Sequence, residues 1–230
     1  GKDPDGLIRK GHERVLQARL DDAVFFWNSD CKKTLQERVE DLASVTFQKN
    51  LGTYLSKTKR IQSICSLLSS KNDLLQQAAL LCKTDLTTES VFEISELQGI
   101  IGGLCAREAG YPQEVWKAIY EHYQPISIKD PLPNTENGAL LSIADRLDTI
   151  TACFSIGIRP KGSRDPFAIR RQAQGLIRIL LDYGFDWDID DLLKFSLGVL
   201  GSGQEFKEEI REFLGRRLHT VLTRQGLEND

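Results

Sequence analysis

Lys161-Gly162-Ser163-Arg164-Asp165-Pro166-Phe167-Ala168-Ile169-Arg170-Arg171-Gln172-Ala173-Gln174-Gly175-Leu176-Ile177-Arg178-Ile179-Leu180 sets five basic side chains against one acid, in a chain whose formal net charge is -3. Asp165 before Pro166 is a helix-start signal. An Asp carboxylate accepts orphan backbone N–H groups, and a proline in the first turn gives up no helical hydrogen bond. The pattern predicts a helix over residues 166–183 with two faces. Ile169, Ala173, Leu176, Ile177 and Leu180 recur at the spacing of a buried stripe, whereas Arg171, Gln174 and Arg178 recur on another side. The cluster therefore spans a loop and the first turns of a helix that packs with one face and presents the other.

Outward from this stretch, helical periodicity continues and no segment alternates long enough to require a sheet. Leu16, Leu20, Ala23, Val24 and Trp27 mark a first helix. Tyr54, Thr58, Ile61, Cys65 and Leu68 mark another, ended by Ser69-Ser70-Lys71-Asn72-Asp73. Further helices are expected over residues 74–91, 95–109, 113–123, 138–154 and 204–224. Residues 124–137 carry Pro125, Pro131 and Pro133 and are expected to form a loop. The fold class is all-α. Gly184 and Gly201-Ser202-Gly203 are the punctuations, and we place a boundary at the first: a helical domain over residues 1–183, then residues 184–230 as the start of a second helical region.

The composition, 40% apolar over 230 residues, suffices for a buried core. An acidic chain offers no whole-molecule argument for nucleic-acid binding, so that argument rests on patches. The chain has no Met, opens Gly1-Lys2-Asp3-Pro4-Asp5-Gly6 without a signal-like segment, and has no apolar run of membrane-spanning length; we read it as an excerpt of a longer soluble protein. Its five cysteines, at 31, 65, 82, 105 and 153, have no Cys-x-x-Cys spacing. We read them as buried, reduced thiols. No Walker-type phosphate loop and no Ser/His/Asp or Cys/His nucleophile set is present. Trp27, Trp116 and Trp187 lie outside the basic patch and are read as packing anchors.

The stretch 161–180 resembles a signature segment of the bacterial glycyl-tRNA synthetase beta subunit family, differing mainly by Arg164 for Lys, Ile169 for Leu, and Gln172 and Gln174 for alanines. Gly11-His12-Glu13-Arg14, Leu51-Gly52-Thr53-Tyr54, Glu96-Leu97-Gln98-Gly99 and Ala144-Asp145-Arg146-Leu147-Asp148 resemble further segments of that family in the same order. The resemblance implies a tRNA-binding and tRNA-positioning role in glycylation, with Arg159, Lys161, Arg164, Arg170 and Arg171 touching the tRNA. It also implies an alpha subunit that holds ATP and magnesium and makes the adenylate. This chain would then be catalytically silent and bind no cofactor of its own, and its compartment would be the cytoplasm, or a chloroplast or mitochondrion of bacterial descent.

Ala144-Asp145-Arg146-Leu147 also resembles the last motif of HD-superfamily phosphohydrolases, whose Asp completes a metal site begun by histidines on earlier helices. Here Lys57 stands near the first expected His, and Lys83 with Asp85 near the His-Asp pair. His12, His122 and His219 lie elsewhere in the sequence. A divalent site of this kind needs neutral imidazoles with carboxylates. We therefore expect no metal, and a degenerate HD-like domain in which Asp145 and Asp85 meet Lys57 and Lys83 directly. Arg146 and Asp148 are read as an ion-paired polar face of a core helix. The competing readings are a metal-dependent HD-type phosphohydrolase and a structural spacer in which the basic cluster only neutralises acids such as Asp145, Asp148 or Asp165.

Overall fold

A computed structural model describes residues 6–224; residues 1–5, part of the opening read above, lie outside it. The elements in order are α1 (Leu7–Asp30), α2 (Leu35–Asp41), β1 (Thr46–Gln48), β2 (Gly52–Thr53), α3 (Tyr54–Leu68), α4 (Asp73–Leu81), α5 (Glu89–Glu93), α6 (Ile100–Glu108), α7 (Gln113–Glu121), α8 (Glu136–Ser155), α9 (Ile169–Tyr183), α10 (Ile189–Val199) and α11 (Lys207–Arg224). The protein is all-α. Its two short strands form one antiparallel hairpin.

The centre is α8, buried along almost its whole length from Gly138 to Phe154. Helices α3, α4, α7, α9 and α10 pack around it. A helix enclosed on every side has no polar face to spare, so its charged residues must find partners inside the protein. Gly184, left-handed at φ 64, ends α9. Beyond it α10 and α11 turn back onto α8 and α9, and Leu192, Leu193, Leu197, Ile210 and Phe213 join the same apolar cluster as Leu147 and Leu176.

Three expected helices differ from the structure for local reasons. The helix expected over 74–91 breaks after Leu81. The Thr84 and Thr87 hydroxyls donate back to the carbonyls of Leu81 and Thr84 across a 3₁₀ turn, and Thr88 caps α5 by accepting from the Val91 N–H. Threonine hydroxyls that bond locally compete with the helical ladder. The helix expected over 95–109 starts only at Ile100, because Gly99 (φ 80) lies against Tyr123, whose ring would sit 2.8 Å from an added Cβ. The helix expected from Pro166 begins at Ile169. Residues 165–168 form a turn closed by the Ala168 N–H to the Asp165 carbonyl, and Ala168 itself is left-handed at φ 51. Asp165 still caps the helix from outside: its carboxylate accepts from the Ile169 and Arg170 N–H groups at 2.6 and 3.0 Å.

The first helix forms as expected and runs longer, yet Leu16, Leu20 and Val24 are about 60% exposed (62%, 61% and 59%). Among the described residues the helix is held at its C-terminal end. There the buried Asp30 carboxylate accepts from the Glu89 and Ser90 N–H groups and the Ser90 hydroxyl, and Arg38 donates to the Asp30 carbonyl. Trp27, Trp116 and Trp187 are half-buried against the core. No described helix is long and apolar enough to cross a membrane.

Helices α6 and α7 approach closely at Gly103, where an added Cβ would lie 2.6 Å from Tyr120 Cβ and 2.9 Å from the Trp116 carbonyl oxygen. Gly103→Ala is expected to lower stability by about 1–3 kcal/mol through overpacking. Gly215→Ala, in α11 with open space around it, should raise stability by about 0.5–1 kcal/mol by removing glycine's unfolded-state freedom. Paired urea titrations measure both; equal effects would refute the close-approach argument.

Candidate functional site: a buried lysine–carboxylate centre beside a basic ridge

Lys57 and Arg60 lie three residues apart on α3, and Asp145, Asp148 and Thr149 recur at the matching spacing on the facing side of α8. The Lys57 ammonium lies 2.9 Å from Asp145 Oδ1, 2.9 Å from Asp148 Oδ2 and 2.7 Å from Thr149 Oγ1. Its hydrogen bonds go to Asp148 Oδ2, Thr149 Oγ1 and, at 3.4 Å, the Asp145 backbone carbonyl, so its contact with Asp145 Oδ1 is an ion pair without hydrogen-bond geometry. Arg60 grips Asp148 with two nitrogens, Nε at 2.6 Å and Nη2 at 3.2 Å. Lys83, freed to point inward by the break after α4, reaches Asp145 Oδ2 at 2.6 Å and His122 Nε2 at 2.9 Å, with its ammonium 3.9 Å from the Tyr123 ring centroid. The β1–β2 hairpin adds Phe47, whose ring lies under Lys57 and packs on Tyr54 and Phe167.

Burial opposes every charge here, and the pairing decides the outcome. Desolvation would raise Asp145, but Lys57 and Lys83 hold it far below the usual carboxylate range. Desolvation would lower both lysines, yet Asp145, joined at Lys57 by Asp148, raises them above their ordinary value. His122 is pushed down to about 3 by burial and by Lys83. It is neutral, and its Nδ1 lies 2.6 Å from the Ile119 carbonyl. That contact requires the Nδ1–H tautomer, which leaves Nε2 as the acceptor for Lys83. Lys57, Lys83 and Arg60 against Asp145 and Asp148 make three cations and two anions, a buried excess of one positive charge.

The structure brings Lys57, Lys83 and Asp145 together and leaves Asp85 out of the pairing. Asp85 is buried and accepts from the Gly99 N–H at 2.5 Å, with a further bond from the Gly102 N–H; burial pushes its pKa up to about 6. It anchors the start of α6. Arg146 also turns away from the centre, with Nε on Ser142, Nη1 on Gln172, and Nη2 on the carbonyls of Tyr123 and Pro125. Sequence reasoning left His122 outside the site, and the chain reversal after α7 carries it in. The paired spacings Lys57/Arg60 and Asp145/Asp148 were the signal for Arg60; nothing local marks His122. Among the described residues no group of three or more His, Cys, Asp or Glu side chains is placed to hold a metal ion.

The basic stretch divides in two. Arg159 is engaged internally: it grips Glu209 with two bonds of 2.6 Å, donates to the Phe154 carbonyl, and lies over the Phe154 ring. Lys161, Arg164 and Arg171 are exposed and Arg170 half-buried, and none has an acidic partner among the described residues. Asp145 and Asp148 take their cations from α3 and the turn after α4, and Asp165 is occupied by backbone N–H groups. Arg171 also borders a cleft of about 590 Å³ whose wall includes His122, Tyr123, Asp145, Arg146 and Gln172.

Fold and site together define an all-helical domain centred on a buried lysine–carboxylate network, with an unpaired basic ridge along one side. The chain belongs to the glycyl-tRNA synthetase beta subunit family, which it matches over residues 2–230. It is 41% identical to the glycine–tRNA ligase beta subunit of Syntrophomonas wolfei and to that of Syntrophotalea carbinolica, in each case over 97% of this chain and 34% of the relative. To the corresponding subunit of Acidobacterium capsulatum it is 44% identical over 92% of this chain and 32% of the relative. The chain spans about a third of the length of these curated relatives.

Two outcomes test the centre. Asp145→Ala strips Lys83 of its only carboxylate and Lys57 of one of two, and is expected to cost about 3–5 kcal/mol, the range for breaking a buried pair. An unchanged melting temperature would refute the network. His122, neutral when folded, takes a proton in the unfolded chain below its ordinary value of 6.5. Its contribution to stability is therefore lost as pH falls from about 6.5 towards 3, at up to about 1.4 kcal/mol per pH unit. The difference between wild type and His122→Gln in urea titrations at pH 7 and pH 4.5 reads this directly: the variant is expected to lose less stability on acidification.

Proposed function

We propose that this chain serves as a tRNA-positioning domain of a glycyl-tRNA synthetase beta subunit and is not itself catalytic. In this reading glycine tRNA is the ligand of the basic ridge. ATP, magnesium and adenylate formation belong to an alpha subunit in a hetero-oligomer, and the compartment is the cytoplasm. The observation that carries the reading is the set of unpaired cations, Lys161, Arg164, Arg170 and Arg171, in a chain of net negative charge belonging to this family. Cations without acidic partners are available to phosphates, whereas Arg159, gripped by Glu209, acts by fixing the loop that carries them. The start of α9 adds no phosphate seat, because the Asp165 carboxylate already occupies its first N–H groups.

A metal-dependent HD-type phosphohydrolase fits the site less well. Both Asp145 oxygens face ammonium groups, and a divalent ion there would lie beside Lys57 and Lys83 without an imidazole free to bind it. The donor set favours a lysine-filled relic of such a site.

Replacing Arg164, Arg170 and Arg171 with alanine in the full synthetase is expected to raise KM for tRNA. It should also flatten the salt dependence of tRNA binding, by roughly one unit or less of log–log slope for each phosphate no longer engaged. Glycine-dependent ATP–pyrophosphate exchange should stay near wild type. Loss of exchange with the fold intact would place the arginines at a subunit interface, and an unmoved affinity and salt slope would favour the spacer reading.

A further inference from the structure

The cleft of about 590 Å³ beside the buried centre is lined by polar groups that the fold leaves without partners. Its floor is fully engaged: both Asp145 oxygens face ammonium groups, and the Arg146 guanidinium donates to Ser142, Gln172 and two backbone carbonyls. Its walls are not. Glu96, in the turn before α6, is exposed and has no cationic partner among the described residues; its carboxylate meets only the Ser95 hydroxyl, at 3.4 Å. The Gln98 side-chain amide makes no hydrogen bond among the described residues, and Gln172 accepts from Arg146 through its amide oxygen while its NH₂ group stays unpaired. Arg171 adds a cation without an acidic partner, and the exposed Ile126 adds apolar surface at the rim. Ala168, left-handed at φ 51, borders the same cleft, a strained backbone position of the kind that clusters at binding sites. Of the five thiols expected to be buried, Cys31 is exposed and the other four are buried, and none borders this cleft.

We propose, building on the tRNA-positioning reading, that this cleft binds one unpaired nucleotide of the tRNA held on the ridge, with Glu96 reading the edge of its base. The volume lies within the range of about 300–1,000 Å³ typical of small-molecule sites, and only a base outside a duplex can enter such a cleft. The wall chemistry selects the same ligand. An ionised carboxylate only accepts, so the partner of Glu96 must be an N–H or O–H donor, which a base edge carries and a phosphate does not. Guanine fits best, because its N1–H and N2–H₂ groups lie side by side and can meet both oxygens of one carboxylate. The unpaired NH₂ groups of Gln98 and Gln172 suit ring nitrogens and carbonyls, Arg171 suits the attached phosphate, and Ile126 covers a face of the ring. The buried excess of positive charge beneath the cleft favours an anionic ligand over a neutral one.

Binding titrations of the chain with glycine tRNA, a short guanine-containing single-stranded RNA, a duplex RNA and guanosine monophosphate test this site. By charge alone, removing a carboxylate beside a basic ridge should tighten RNA binding. Glu96→Ala is expected to do the opposite: it weakens tRNA and the single-stranded RNA about tenfold, the loss of roughly one charge-assisted hydrogen bond, and does not weaken the duplex. Melting temperature and the salt dependence of tRNA binding should stay at wild type, since Glu96 is exposed and engages no phosphate. Gln98→Ala should act in the same direction. Arg164→Ala with Arg170→Ala should instead weaken every RNA and flatten the salt dependence. If the arginine variants weaken tRNA but Glu96→Ala tightens the single-stranded RNA or leaves it unmoved, the nucleotide site is overturned and the ridge stands. If tRNA ignores the arginines as well, the tRNA-positioning reading falls with it. Guanosine monophosphate bound as tightly as the short RNA would make this a free-nucleotide site and overturn its assignment to tRNA.

Discussion

Lys57 and Lys83 converge on the two oxygens of Asp145, and the rest of the fold is arranged to make that convergence tolerable. Desolvating a lysine or an aspartate alone costs several kcal/mol, so each must arrive with its partner already placed. This requirement reaches into four segments. Helix α3 must present Lys57 to α8, the chain must break after α4 so that Lys83 turns inward, the end of α7 must deliver His122 as an acceptor, and α8 must be enclosed. The extra positive charge is moderated by neutral groups: the Thr149 hydroxyl, the His122 imidazole, and the faces of Phe47 and Tyr123.

A second constraint follows from an almost sheetless fold with many short helices: every helix start leaves N–H groups without intrahelical partners. Carboxylates close several of them, Asp30 and Asp85 from a distance in sequence and Asp165 from the turn just before its helix. Asp30 serves α5, Asp85 serves α6, and Asp165 serves α9. Glu121 accepts from the N–H groups of Asn134 and Thr135 and from the Thr135 hydroxyl just before α8. These carboxylates tie successive elements into one body, and they explain why acids that read as candidate ligands in the sequence are occupied in the structure. Asp85 is the clearest instance, since an N–H pair takes the oxygen that a lysine was expected to meet.

What the sequence disclosed followed from periodicity and from paired spacing. The apolar stripe of α9 and the register of α3 were legible, because a helix buried on one side repeats its pattern over three or four turns. The meeting of Lys57 and Lys83 with Asp145 was legible only through the resemblance to the HD motif, which placed those lysines where histidines were expected, and the same reading wrongly included Asp85. Breaks were harder to read. The threonines at 84, 87 and 88 stop a helix by hydroxyl bonds that no apolar pattern records, and Ala168 adopts a left-handed conformation that only the packing of its neighbours requires. His122 was invisible for a different reason. Its place in the site depends on how α7 crosses α8, a long-range fact with no local trace, and the exposure of α1 likewise depends on what lies beside it.

The unpaired cations between 161 and 171 make sense beside the buried centre. A surface patch of lysine and arginine in an acidic chain is weakened by nearby carboxylates unless those are neutralised. Here Asp145 and Asp148 are more than neutralised by Lys57, Lys83 and Arg60, Asp165 faces the α9 backbone, and Glu209 is held by Arg159. The acids most able to quench the ridge are thus engaged before any ligand arrives. The buried excess of positive charge, less screened than surface charge, acts with the ridge rather than against it. In the tRNA-positioning reading, lysines at this centre therefore do two things: they take both Asp145 oxygens, and they leave a fixed positive field next to the arginines that would meet a phosphate backbone.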